Sequence, residues 1–163
     1  MHDILITADN LSYKINENRL FSSVSFSLKK GECLHIKGSN GSGKSTLLRI
    51  ILGITSPTKG EIKVHVKKNI AYLGHKNALK SYLSVEDNIT LMRLSNHKDL
   101  KEYLETLSLK KLLDIKVANL SYGQQKKLAL LRIFLGNTNL IVLDEPFVGL
   151  DIENQNILSN FLN

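Results

Sequence analysis

The stretch Gly38-Ser39-Asn40-Gly41-Ser42-Gly43-Lys44-Ser45-Thr46 constrains this 163-residue chain more than any other. It fits the pattern G-x-x-x-x-G-K-[ST], a glycine-rich loop that cradles phosphate. Glycines let the backbone curl without Cβ clashes and turn several N–H groups inward. A following helix points the positive end of its dipole at the same anion. Lys44 is placed to reach the β- and γ-phosphates of a nucleotide, and the Ser45 hydroxyl to ligate Mg²⁺. The flanks suit such a loop. Cys33-Leu34-His35-Ile36 is a short, mostly apolar run, expected as a strand buried on both faces, which makes Cys33 a core residue. Ser45 to Leu52 reads as a helix that ends at Gly53, with Pro57 just beyond.

A second feature supplies acids. Leu140-Ile141-Val142-Leu143-Asp144-Glu145-Pro146 is an apolar strand with two carboxylates at its carboxyl end. In open α/β sheets, ligands bind at that edge. Asp144 can hold Mg²⁺, directly or through water. Glu145 can polarise a water for attack on the γ-phosphorus. A base beside the metal suits hydrolysis better than transfer to a substrate hydroxyl.

The remaining pattern gives a coarse architecture. Ile4-Leu5-Ile6 opens a strand, Val24 to Leu28 alternates with period two, and Lys29 to Glu32 is a turn. Glu61–Val66 and Ile70–Leu73 read as two more strands. From Val85 to Leu135 the pattern is helical, with Leu100, Leu104 and Leu107 on one face. Ser121 is placed to cap a helix from about Gly123 to Leu135. Asp151 to Leu162 reads as a final helix. There is no repeat, Pro-rich linker or low-complexity tract. The expected class is therefore α/β: a strand-rich sheet interrupted by a helical insert.

Bulk properties narrow the setting. No apolar run approaches the roughly 20 residues that a membrane span needs. Met1-His2-Asp3-Ile4 lacks the basic and apolar stretches of a secretory signal. A cytoplasmic location is expected, and the lone Cys33 agrees with a reducing compartment. The formal net charge of +7 fits a nucleic-acid surface, attraction to an anionic membrane face, or a Lys-rich solvated exterior. The lysines are spread along the chain, as in Lys29-Lys30, Lys67-Lys68, Lys110-Lys111 and Lys126-Lys127, without interleaved aromatics. The solvated exterior is the reading preferred, and no nucleic-acid partner is expected. His2, His35, His65 and His97 have no partner pattern and read as structural.

Leu120-Ser121-Tyr122-Gly123-Gln124-Gln125 resembles the signature motif of ABC ATPases, usually written LSGGQ. It precedes the Asp-Glu strand by the interval that family shows, and Tyr122 stands where the family usually has Gly. The resemblance spans Leu11 to Asp151 and implies a P-loop NTPase (RecA-like) core with N-terminal antiparallel strands. The core would comprise 1–74 and 138–163, around a helical subdomain 75–137. It implies ATP and Mg²⁺ as cofactors. Nucleotide binding falls to Gly38, Ser39, Asn40, Gly41, Ser42, Gly43, Lys44, Ser45 and Thr46. Catalysis falls to Lys44 and Glu145, and the metal to Ser45 and Asp144. Tyr13 lies where an aromatic residue stacks on adenine; a tyrosine on a strand face is the other reading. Ser121, Tyr122, Gly123 and Gln124 would act on ATP held by a second copy. Asp151, in Gly149-Leu150-Asp151, looks like the dimer-contacting loop. His75, in Tyr72-Leu73-Gly74-His75, replaces a glutamine that the family offers to Mg²⁺ and to the transporter. Imidazole can accept from water or bind a metal, but its shape differs.

Three details look most similar to the haem exporter ATPases of cytochrome c maturation. They are Tyr72-Leu73-Gly74-His75, the doubled Gln124-Gln125, and Asp144-Glu145-Pro146-Phe147. The family also carries a further strand after the carboxylates, ending in a histidine that contacts the γ-phosphate. No histidine follows His97 here, so a single ABC-type domain that lacks its last core strands is expected. The resemblance implies membrane-spanning transporter subunits as partners, a dimer or pseudo-dimer of ATPase domains, and a place on the inner face of the membrane. Other functions compete: an ABC ATPase for another cargo, a non-transport ABC protein acting on ribosomes or DNA, and a truncated chain that docks on its membrane partner without hydrolysing ATP.

Overall fold

The computed structural model describes residues 4–66 and 68–162. His2 and Lys67 lie outside the described residues. The packing divides the chain between Ile70 and Ala71 into two compact units.

The first unit is built on an antiparallel sheet of order β2-β1-β3. Strand β1 (Ile4–Ile15) pairs on one side with β2 (Asn18–Lys29) and on the other with β3 (Lys59–Val64). The β1–β2 turn uses Asn16 with φ 53°, a left-handed conformation that Asn tolerates better than most residues. Ile6 and Ala8 alternate inward along β1, and the register shift between Ala8 and Leu11 turns Leu11 inward as well. Helix α1 (Lys44–Ile51) buries Leu47, Leu48, Ile50 and Ile51. It starts one residue before the expected position.

The run Cys33–Ile36 is not a strand. Cys33 is exposed, and so is Leu34. This corrects both the buried strand and the core cysteine. A strand buried on both faces needs hydrogen-bonded neighbours along its edges. Neither sheet among the described residues includes this run, so its apolar character alone does not make it a strand.

The second unit contains a two-stranded sheet, β4 (Ile70–Leu73) beside β5 (Leu140–Leu143), and the helices. The expected helical stretch is broken into α2 (Val85–Leu91), α3 (Leu100–Thr106), two short 3₁₀ turns at Lys110–Leu112 and Val117–Asn119, and α4 (Tyr122–Phe134). The breaks have a local cause. After α2, Arg93 adopts φ 59°, while Arg93 N–H donates to Thr90 O and Leu94 N–H to Ile89 O. After α3, Ser108 adopts φ 57°, with Ser108 N–H on Glu105 O and Leu109 N–H on Leu104 O. Both are Schellman endings, and each buries the apolar residue that follows, Leu94 and Leu109. Leu104 and Leu107 are buried as expected, and Leu100 packs partly against the same core.

Helix α4 is the centre of this unit. Leu128, Ala129, Leu130, Leu131 and Ile133 are all fully buried, which makes it apolar around most of its circumference. Phe134 at its end stacks on Tyr103 and meets Phe161 of helix α5 (Ile152–Leu162) edge-on. Among the described residues, no helix is long and apolar enough to cross a membrane.

Asp151 starts α5. Its Oδ1 accepts from the Asn154 backbone N–H at 2.9 Å and from the Asn154 side-chain amide, and its Oδ2 lies 3.1 Å from Lys127 Nζ. The bond from the Asn154 backbone leads these in holding its carboxyl at about 2. A depressed carboxylate stabilises the fold above the ordinary carboxylate range and loses that contribution as pH falls through its folded value. Asp151→Asn keeps a cap but removes the charge. Thermal melts recorded from pH 4 down to pH 2 should therefore fall less steeply for Asp151→Asn than for the parent chain.

Candidate nucleotide and signature sites

The phosphate loop lies in the first unit. Gly43 caps α1 with φ 93° and no side-chain cap, so backbone N–H groups remain at the helix start for an anion. The position also excludes side chains by space. A Cβ at Gly43 would sit 2.9 Å from Phe21 Cδ1 and 3.1 Å from Leu20 Cβ. The ammonium of Lys44 donates to the carbonyl oxygens of Gly38 and Ser39, each at 2.9 Å. It is thus folded back across its own loop, held by two acceptors. Ser42 N–H closes the turn on Ser39 O at 3.2 Å. Ser45, the expected metal ligand, is exposed, and Asn40 and Gly41 are exposed at the rim.

Tyr13 is tied to this loop through a residue that sequence reading missed. It faces Phe21 across the β1–β2 ladder, and the rings stack with centroids 6.2 Å apart at 25°. Phe21 is the same ring that closes over Gly43. The signal that could have found it is the β-hairpin register, which sets Phe21 opposite Tyr13.

The second unit gathers the remaining expected residues. Ser121 caps α4 in a reciprocal box: its Oγ accepts from Gln124 N–H at 3.2 Å, and Gln124 Oε1 accepts from Ser121 N–H at 2.9 Å. The Ser121 hydroxyl keeps its own proton to donate. Tyr122 spreads its ring over Gly149, where any side chain would strike it. Gly149 also has φ 82°, so position 149 requires glycine on both counts. A Cβ at Gly123 would meet Gly149 O at 2.8 Å. Asp144 is buried, and its N–H donates to Leu73 O at 2.8 Å. The chain therefore leaves β4 for Gly74 and His75 beside Asp144. His75 itself is exposed. Glu145 is exposed and adopts φ 49°, unusual for a residue with a side chain.

Lysine 126 departs from expectation. It belongs to a pair read as solvated, yet it is 1% exposed. Its ammonium donates to Glu145 O at 3.3 Å. Burial pulls its pKa below the ordinary lysine value, against the charges of Asp144 and Glu145. Its neighbour Lys127 pairs with Asp151. Further along α4, Arg132 donates to Asn77 O at 2.6 Å, gripping the loop after His75. Its pKa too is lowered by burial. Among the described residues, no three His, Cys, Asp or Glu side chains cluster as a metal cage.

Residues 21–148 match the family model described as ABC transporter. The chain is 36% identical over 163 aligned residues to the cytochrome c biogenesis ATP-binding export protein CcmA of Dechloromonas aromatica (strain RCB), covering 91% of this chain and 80% of that protein. It is 36% identical to the CcmA protein of Brucella abortus (strain 2308), covering 90% and 73%. Among solved structures, an ATP-binding subunit of an ABC transporter superposes with a TM-score of 0.81 at 26% identity, covering 98% of this chain and 73% of that one. The chain belongs to the ABC transporter family as an ATP-binding subunit.

Proposed function

We propose that this chain hydrolyses ATP to drive a membrane transporter that exports haem for cytochrome c biogenesis. The observation that carries ATP use is Lys44, held by two loop carbonyls at the start of a helix whose cap is a left-handed glycine. A triphosphate can replace both carbonyls as the partner of that ammonium, while the helix N–H groups meet the same anion. The export role rests on similarity to proteins named for cytochrome c biogenesis export. Haem as cargo rests on the three short strings already described.

Side-chain chemistry and the family resemblance together give each residue its role. Gly38 to Thr46 bind the phosphates, and Tyr13, backed by Phe21, offers an aromatic face to adenine. The Ser45 hydroxyl and the Asp144 carboxylate are hard oxygen donors of the kind Mg²⁺ prefers, with water and phosphate oxygens completing its shell. Mg²⁺ would neutralise charge on the phosphates. His75 offers a nitrogen that could also ligate Mg²⁺, and it serves as a contact toward a membrane partner. Glu145 takes a proton from the attacking water. Ser121 and Gly123 donate to the γ-phosphate held by a second copy, and Asp151 lies in the dimer loop. The same reading gives a core of 1–74 and 138–163 with a helical subdomain at 75–137. Its workplace is the cytoplasmic face of the membrane, docked on spanning subunits.

Two variants test the assignment. Lys44→Ala should lose binding of a fluorescent ATP analogue by at least about ten-fold, since it removes a charge-assisted contact. Glu145→Gln should keep that binding and lower turnover by about a hundred-fold or more. It should also accumulate an ATP-bound dimer on size exclusion. Turnover of Glu145→Gln at the parent rate would contradict the assigned base.

A further inference from the structure

Lysine 126 is a buried cation that the proposed reaction does not use. Ammonium groups are rarely enclosed without a partner, because burial removes their hydration. A lysine at 1% exposure, on the same helix as the buried Leu128, Leu130 and Leu131, therefore needs a reason beyond packing. Its hydrogen bond ends on the main chain of Glu145, not on a side chain.

That target is informative. Glu145 holds φ 49° although it carries a side chain, so its backbone occupies a well that glutamate does not favour. Its carbonyl is pinned twice, by Lys126 Nζ and by Val148 N–H, both at 3.3 Å. Two donors on one carbonyl fix the orientation of the peptide, and with φ that fixes the direction in which Cβ leaves the chain. Lys126 can hold this position because α4 is buried from Leu128 onward, while its first turn is closed by the Ser121–Gln124 box and by the Gln125 amide on the Val117 and Leu120 carbonyls. The acids it faces are Asp144 and Glu145, so its charge also balances two adjacent carboxylates.

We propose that Lys126 is a positioning residue for ATP hydrolysis. From the signature helix it clamps the Glu145 backbone in a left-handed conformation and so aims the carboxylate at the attacking water. This rests on the reading of Glu145 as the base. Misplacement of a catalytic group by about an ångström can cost on the order of a hundred-fold in rate.

Steady-state ATPase kinetics and thermal melts of Lys126→Met, Lys126→Arg and Glu145→Gln, beside the parent chain, test the proposal. Lys126→Met should lower kcat by about ten- to a hundred-fold while KM for ATP stays within about three-fold, the pattern of a group that acts only in the transition state. Lys126→Arg, which keeps charge and donors, should recover a large part of kcat. A merely structural lysine would instead change KM, kcat and melting together, and that result would overturn the proposal. If Lys126→Met does not melt cooperatively, Lys126→Gln replaces it under the same criteria. Parent-like kcat in the neutral variant, with Glu145→Gln inactive, overturns the clamp and leaves the base intact. Parent-like turnover in Glu145→Gln overturns the base, and the clamp with it.

Discussion

Helix α4 is the constraint on which the second unit depends. It is apolar on most sides, and Leu128 to Leu131 leave it no place except the core. Once it is there, its polar residues have fixed targets. Ser121 and Gln124 close its start, Lys127 reaches Asp151, and Arg132 reaches the loop after His75. Lys126 reaches Glu145. Ser121, the Glu145 backbone and Asp151 are thus all tied to one helix.

The first unit follows a different logic. Its sheet buries a modest set of apolar residues, and the phosphate loop is shaped by space as much as by charge. Phe21 and Leu20 leave room for glycine alone at position 43. The Gly38 and Ser39 carbonyls hold the Lys44 ammonium across the loop. Packing and backbone geometry together set the shape of this loop.

Much of this was legible in the sequence. The helix after the glycine-rich loop, the strand before Asp144, strand β4 and the Ser121 cap each follow a local rule, and each holds within a residue or two. What was not legible depended on tertiary context. Arg93 and Ser108 end helices in a left-handed conformation normally signalled by glycine, so no residue type announced those ends. Cys33–Ile36 has a strand's composition, but strands form from hydrogen-bonded neighbours and not from apolar content alone. Lys126 and Lys127 read as a solvated pair, because a sequence does not reveal which of two adjacent helical residues faces the core. Phe21 was hidden for a similar reason: its role depends on register across a hairpin.

The central claim is that the chain folds with a formed ATP site, and the most direct measurement is its thermal melt with and without Mg-ATP. Ligand at a hundred times its dissociation constant adds about 2.7 kcal/mol of stability. The account therefore gives one cooperative transition that moves upward by several degrees as Mg-ATP is raised to saturation. A cooperative melt that millimolar Mg-ATP leaves in place would contradict it.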